Sequence, residues 1–342
     1  MTVLVSNNPT LLDLTKRLDP NGNIAKIVEL LAQTNEVLDD ASYVESNQPT
    51  SHLTTVRTGI PQPTWRKLYG GVQPTKSTTV QVVDNVGNLE NYAEVDSFLV
   101  NINGNAAAFR LSEDRPILEG INQELAGTIF YGNEGTDPAE FTGLAPRFND
   151  GAAANGQNIL HAGGTGTDNT SIWLVCWSPE TVHMLYPKGM EAGVSSKDLG
   201  EVTIENADGA GGRMQAFRTH YKVSAGLSVR DWRYVVRIPN IDMSDLKGVT
   251  GTQALTASTN VLYLMASALE RIQSTTMGRC AFYMHRQVRE KLRRMLIDKV
   301  QNSSLTMDEV AGKRVLTFDG VPIRRVDQLS LAEAVVPNAV TP

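Results

Sequence analysis

The sequence predicts an α+β protein, built from helices and antiparallel strand pairs. Three observations carry that reading. Apolar residues recur at helical spacing along Leu118–Ile129, Val261–Ile272 and Val288–Leu296. Runs rich in apolar and β-branched residues at Ser171–Trp177, Gln215–Val223 and Trp232–Ile238 read as strands. Asp319-Gly320, set between Arg314–Phe318 and Val321–Val326, is the strongest two-residue hairpin signal in the chain.

Composition bounds the answer further. The chain has 342 residues, about two domains' worth. It is 41% hydrophobic and 20% charged, with 28 Gly and 15 Pro, which argues for packed cores joined by many turns. A net charge of -6 argues against a strongly basic nucleic-acid binder. Cys176 and Cys280 are too few for a disulfide framework or a thiolate metal cage, and they read as reduced, buried thiols. The longest unbroken apolar run, Ile172–Trp177, is far short of the roughly 20 residues of a membrane-spanning helix, and Met1–Thr10 lacks a secretory pattern.

Taken in order, the first 50 residues are acidic. Within them Ile24, Ile27, Val28, Leu31 and Leu38 make Asn23–Leu38 an amphipathic helix. The pattern leaves open whether it packs on its own core or lies on a neighbouring subunit. From 50 to 97, Pro49, Pro61, Pro63 and Pro74 break helical periodicity. Thr78–Val83 and Asn91–Val100 read as two extended runs joined by the turn-rich Asp84–Asn88, a projection with little core of its own. Ser112–Pro116 reads as a helix start, with polar caps, acids and a first-turn Pro. The stripe Leu118, Ile121, Leu125, Ile129 then carries about four turns.

Ser178-Pro179-Glu180 reads as the start of a short helix through Leu185. Gln215–Val223 and Trp232–Ile238 read as an antiparallel pair joined through Ala225-Gly226-Leu227. Helices return at Asn260–Ile272 and His285–Val300, with a short strand, Arg279–Tyr283, between them.

No enzyme constellation rises above background. The Gly-rich stretches at 163–166 and 208–212 lack the Lys-Ser/Thr of a phosphate-cradling loop and read as turns. The five histidines are scattered, and none has a metal-ligand spacing. No catalytic, cofactor-binding or metal-binding residue is therefore expected. One charge cluster stands out on the last helix, carried by Arg286, Arg289, Arg293 and Arg294. It reads as a solvated face, or as a basic surface for an acidic partner such as the first 50 residues or packaged DNA.

The order of these parts resembles the major capsid proteins of tailed double-stranded DNA bacteriophages, which have the Hong Kong 97-like capsid fold. The residues that carry the resemblance are the arm at Asn23–Leu38, the extended loop at about Arg57–Val95 and the helix at Pro116–Phe130 leading to Phe141-Thr142-Gly143-Leu144-Ala145-Pro146-Arg147. Trp177-Ser178-Pro179-Glu180-Thr181-Val182, Gly278–Met284 and Phe318-Asp319-Gly320-Val321-Pro322-Ile323-Arg324 continue it. The strand-and-helix unit that ends in the Gly-Val-Pro hairpin comes last in this chain, which implies a rearranged topology as in some short-tailed phage shells.

The resemblance implies an N-terminal arm at 1–50, an extended loop at 51–100 and a peripheral domain with a long spine helix at 101–165. Strands within 166–250 would complete that domain, and an axial domain would follow at 251–335. It implies a subunit that assembles with itself into hexamers and pentamers of an icosahedral shell, carried in the virion and assembled in the bacterial host cytoplasm. Scaffolding, portal and decoration proteins are the implied partners, with double-stranded DNA held non-specifically and no membrane. Ile24, Ile27, Leu31, Trp65, Arg66, Lys67 and Tyr69 are the candidate inter-subunit contacts, and no covalent cross-link through Lys67 or Lys76 is expected. Two alternatives are a shell of the same fold that encloses enzyme cargo, and a small-ligand enzyme of the cytoplasm that uses the Gly-rich loops.

Overall fold

The fold is that of a computed structural model, which describes residues 33–102, 106–205, 211–247, 261–298, 305–310 and 313–340. The chain divides into two units, and three of the boundaries between them fall within long elements. One unit gathers Asn88–Leu125 and Gly193–Ser224. The other gathers Thr34–Gly87, Ala126–Ala192 and the chain from Ala225 onward.

In chain order the second unit begins with a single helical turn, α1 (Val37–Asp40), and a short strand, β1 (Tyr43–Glu45). The helix expected over Asn23–Leu38 lies mostly outside the described residues; where it is described, Gln33–Glu36 are not helical and only Val37 and Leu38 enter the single turn α1. Asn35 instead bridges to Val326, and the Glu36 N–H donates to the Arg325 carbonyl at 3.0 Å. Strand pairing with a distant segment overrides the local helical spacing there.

Strands β2 (Ser51–Gly59) and β3 (Thr78–Asp96) form an antiparallel ribbon, from Ser51↔Asn85 to Gly59↔Thr78. The expected turn at Asp84–Asn88 is absent, because β3 runs straight through it. The partner of Thr78–Val83 is β2 rather than Asn91–Val100. Asp84 is held in the strand by Arg147, which donates to Asp84 Oδ1 at 2.8 Å.

The sheet of the second unit is built around β4 (Asn169–Trp177), which is buried at every position. Strand β8 (Val235–Asp242) flanks it antiparallel, with Asn169↔Asp242 through Val175↔Val235. On its other flank lies β9 (Arg279–Met284), with Trp173↔Tyr283 through Trp177↔Arg279. Strand β12 (Val321–Arg325) joins β9 in parallel and β11 (Lys313–Phe318) in a hairpin, and β10 (Leu305–Val310) adds to β11. The hairpin turn has Asp319 and Gly320 at φ 51 and 78, the conformation the dipeptide predicts.

Burial on both faces explains the unbroken apolar run of β4. Past the short helix α4 (Leu144–Arg147), Ile172, Leu174 and Cys176 share one cluster with Met243 and Leu246 of α5 (Met243–Lys247), Leu264, Met265 and Ala268 of α6 (Val261–Arg271) and Val288 and Leu292 of α7 (Arg286–Asp298). The alternate residue Trp173 meets Phe130 and Phe148 at ring distances of 6.0 and 6.2 Å. Both helices fall where their apolar stripes place them.

Cys176 and Cys280 are not reduced thiols as expected. They are register partners across β4 and β9 and form a disulfide. Their sequence separation of 104 hides a pairing that only the strand register creates.

Three further expectations are corrected. Ser178–Leu185 is not a helix. Ser178–Thr181 is a turn, closed by the Thr181 hydroxyl donating to the Cys176 carbonyl at 2.6 Å, and β5 (Val182–Tyr186) follows. Strand β5 pairs with β1 in parallel and with the end of β7 (Arg213–Val229) antiparallel, and these pairings outweigh the helix-start signal. Ala225-Gly226-Leu227 is not a turn either, because β7 continues through it. Gly226 is there for close approach: a Cβ on it would sit 2.7 Å from the Asn85 carbonyl oxygen of β3. Trp232–Ile238 consequently does not pair with β7, and its strand β8 pairs with β4.

The first unit contains the part of β3 from Asn88, α2 (Ser97–Ile102), most of α3 (Ala106–Tyr131), β6 (Val194–Glu205) and β7 up to Ser224. Helix α3 begins ten residues before the expected start at Pro116, and Pro116 lies inside it. The added turns are held by Phe109, buried with Val95, Leu99 and Val100 against Phe217. They are also held by Arg110, which pairs with Asp198 at 2.7 Å and donates to Thr219 at 3.1 Å. Strand β6 has no strong sequence signal because its residues are mostly exposed. It pairs with β7 from Val194↔Val223 to Glu205↔Arg213, with a register shift at Gly200, whose φ is 71.

Candidate assembly surfaces

Between β2 and β3 the chain forms a tip of irregular backbone. Every residue from Ile60 to Lys76 is exposed, Trp65 fully so at 102% of its reference surface, Tyr69 at 95% and Leu68 at 84%. Arg66 and Lys67 are exposed beside them. One turn orders the centre of the tip. The Gly70 N–H donates to the Lys67 carbonyl at 3.0 Å, and Tyr69 adopts a left-handed φ of 62. An aromatic side chain rarely takes that conformation, which costs roughly 1–2 kcal/mol for a residue with a Cβ. The structure thus brings Trp65, Arg66, Lys67 and Tyr69 together on one projection. Ile24, Ile27 and Leu31 lie outside the described residues.

The basic helix α7 buries Val288 and Leu292 and exposes Arg286, Arg293 and Arg294. Three of its arginines have an acidic neighbour within the subunit. Arg294 pairs with Glu290 one turn away at 2.5 Å, Arg286 approaches Asp327 at 4.0 Å, and Arg289 approaches Glu36 at 4.0 Å. The acidic segment that follows the first 32 residues therefore does meet basic side chains. Glu36 and Asp40 also face Arg324, whose Nε lies 2.9 Å from Asp40 Oδ2. The Tyr283 hydroxyl, which accepts from Trp177 Nε1 at 2.8 Å, donates to the same Asp40 oxygen at 3.1 Å. Burial, then the Asp40 charge, pushes the Tyr283 hydroxyl well above the ordinary tyrosine range and keeps it a donor.

A second buried network ties the C-terminal segment to the sheet. Glu333 takes hydrogen bonds from Tyr131, Ser171 and Arg237, the last at 2.8 Å, and Arg237 also donates to the Phe148 carbonyl. These residues come from five separate stretches, and no local motif marks them.

The root of the ribbon, with His52, Asp84, Arg147 and His183, is likewise unmarked in sequence, since its members lie far apart in the chain. The Gly-rich stretch at 163–166 is a hydrogen-bonded loop in which only Gly164 is buried. The Gly163 N–H donates to His161 Nδ1, and the Gly164 N–H to the Asn240 carbonyl. Much of the stretch at 208–212 lies outside the described residues. Among the described residues, no group of three or more His, Cys, Asp or Glu side chains is placed to hold a metal ion, and no helix is long and apolar enough to cross a membrane.

Comparison with known proteins identifies the architecture. The family model of the major capsid protein GP7 matches residues 19–337. A solved structure of bacteriophage Epsilon15 is 38% identical, covers 99% of this chain and 100% of its own, and superposes with a TM-score of 0.74. The bacteriophage JBD30 capsid matches at 9% identity over 88% of this chain and 92% of its own, with a TM-score of 0.48. The holo-SrpI encapsulin complex from Synechococcus elongatus PCC 7942 matches at 11% identity over 68% of this chain and 96% of its own, with a TM-score of 0.43. No curated protein matches. The fold is the Hong Kong 97-like α+β capsid fold, as the order of parts implied. With a family match over most of its length and an Epsilon15 relative aligned end to end, the chain belongs to the major capsid protein GP7 family, a structural, non-enzymatic subunit of the icosahedral shell of a phage virion.

Proposed function

We propose that the ribbon tip, residues 60–77, is a strap by which each subunit holds a neighbouring copy in the shell, with Trp65 and Tyr69 as its anchors. The observation that carries this is the exposure of Trp65, Leu68 and Tyr69, each more than four-fifths in solvent, on a projection with no core beneath them. Large aromatic side chains dominate the energy of buried contacts. Burying them on a sister copy stabilises by about 25 cal/mol per Å² of apolar surface. Such a contact joins one surface to a different surface of the next copy, and it closes into the hexamers and pentamers of an icosahedral shell. Ile24, Ile27 and Leu31 serve as a second strap in the same reading.

The unit around α3, β6 and β7 takes the peripheral place, and the β4-centred sheet with α6 and α7 takes the axial place. Arg286, Arg293 and Arg294 present positive charge beside a chain that is acidic overall, which suits loose, non-specific contact with packaged double-stranded DNA. Assembly takes place in the host cytoplasm, with scaffolding, portal and decoration proteins as further partners.

Deleting 60–77 and joining the strands by a short Gly-containing turn tests the strap. The expected product keeps the thermal unfolding transition of the subunit and forms no shells under the electron microscope. Normal shells from that deletion overturn the proposal.

A further inference from the structure

The root of the β2–β3 ribbon gathers buried polar atoms that the fold leaves without partners. They are Thr54 Oγ1 on β2, Asp84 Oδ2 on β3, both ring nitrogens of His183 on β5, and Ser228 Oγ on β7. Thr54 is 5% exposed, Asp84 3%, His183 1% and Ser228 0%. Strand register sets them together. Asp84 is the partner of His52, and Ser228 is the partner of His183. The His52 ring meets the His183 ring edge-on, with centroids 5.8 Å apart. Native folds pair nearly all buried polar atoms, so several orphans in one place mark a site that the resting packing does not fully satisfy.

The charges facing the two imidazoles come from every element around them. Among the described residues Asp84 is the one acid acting on both, and it is already engaged by Arg147, which also donates to the Thr142 and Leu227 carbonyls. Arg230, just past β7, opposes a proton on either ring. The Ser178 backbone lies near the His183 ring without completing a hydrogen bond to it. His52 Nδ1 accepts from the Asn47 N–H at 3.3 Å.

We propose that His52 and His183 form a proton-triggered joint, which releases the root of the ribbon from β5 and β7 when the surroundings turn acidic. The closed root accommodates two neutral rings. A proton taken from solvent by each would set two imidazolium ions side by side with Arg147 and Arg230, against a single carboxylate. His52 is already partly exposed, and separation of β2 and β3 from β5 gives the buried His183 ring water as well.

The direction follows from linkage. Burial first, then His52 and Arg230, holds His183 down to about 4, and burial likewise lowers His52. An open root leaves His183 near its ordinary value of about 6.5. The open form therefore binds protons more readily between those values. Closure is full above about 6.5 and weakens as the pH falls toward 4.

Hydrogen–deuterium exchange on assembled shells tests this, with rates corrected for the intrinsic effect of pH. Between pH 7.5 and 4.5, amides of β2 and of residues 78–86 are expected to lose protection on the order of fiftyfold, while β4 and β9 hold theirs. His183→Leu, which cannot take a proton, is expected to keep protection at pH 4.5. His52→Gln, in case the first variant does not fold, is expected to move the loss to lower pH. Protection independent of pH in the wild type overturns the proposal. So does simultaneous loss in β4 and β9, or an unchanged acid response in the variants.

Discussion

Trp173 and Trp65 are the same residue in opposite circumstances. Trp173 sits mid-strand in β4, fully buried, with Phe130 and Phe148 against its rings and the Arg237 guanidinium 4.9 Å from its ring centroid. Trp65 stands at the ribbon tip with its whole surface in solvent. The sheet around β4 buries its apolar side chains within one chain. The tip has apolar side chains and no core of its own, which is the ground for the proposed strap. The same contrast holds for polar groups. Arg237 and Glu333 are buried with every contact satisfied nearby, whereas the arginines of α7 reach outward from a helix whose other side is core.

The largest expected effect lies in the satisfied region. Glu333→Ala leaves Arg237 buried without its carboxylate and is expected to destabilise the subunit by about 3–5 kcal/mol in denaturant unfolding. A loss under about 1 kcal/mol would show that solvent reaches the network. Trp173→Ala and Trp65→Ala sharpen the comparison directly. The first removes a buried ring and should cost roughly 3–5 kcal/mol. The second should leave subunit unfolding within about 0.5 kcal/mol while lowering the thermal or denaturant resistance of assembled shells. Equal effects of the two on the isolated subunit would erase the distinction.

The smallest effect is electrostatic. Burial alone would raise the Asp327 carboxyl, but hydrogen bonds from Arg325 and from the Thr34 N–H hold it below the ordinary aspartate range. The folded state therefore favours the ionised form. That contribution is present at neutral pH and is lost as the pH falls below about 4 toward the folded value. Arg325→Ala should weaken this acid dependence with a modest loss of stability at pH 7, readable from melting curves at pH 7 and pH 3. A melting temperature difference between the two pH values that matches the wild type would show that Arg325 does not govern Asp327.

The elements that were legible share one property, which is that their signals are local. The stripes of α6 and α7 repeat every three to four residues, the β4 run is continuous, and Asp319-Gly320 is compatible with only a few backbone shapes. The misread elements were decided by partners far away. Strand β5 looked like a helix start because Ser178-Pro179-Glu180 caps one so well, yet β1 and β7 claim it as a strand. Pro116 looked like a first turn until Phe109, buried beneath the added turns, extended α3 backward. Strand β6 carries almost no pattern, because an exposed strand has little need to alternate.

By itself the sequence determined the α+β class, the central apolar strand, the two C-terminal helices, the closing hairpin and the unsupported loop that points to assembly. Tertiary structure alone decided the disulfide between register partners, the continuity of β3 and β7, the Arg237–Glu333 network and the histidine pair at the ribbon root. The reason is physical. Periodicity and turn chemistry are properties of neighbouring residues, whereas register, burial of charge and pairing across strands exist only once distant segments share one low-dielectric interior.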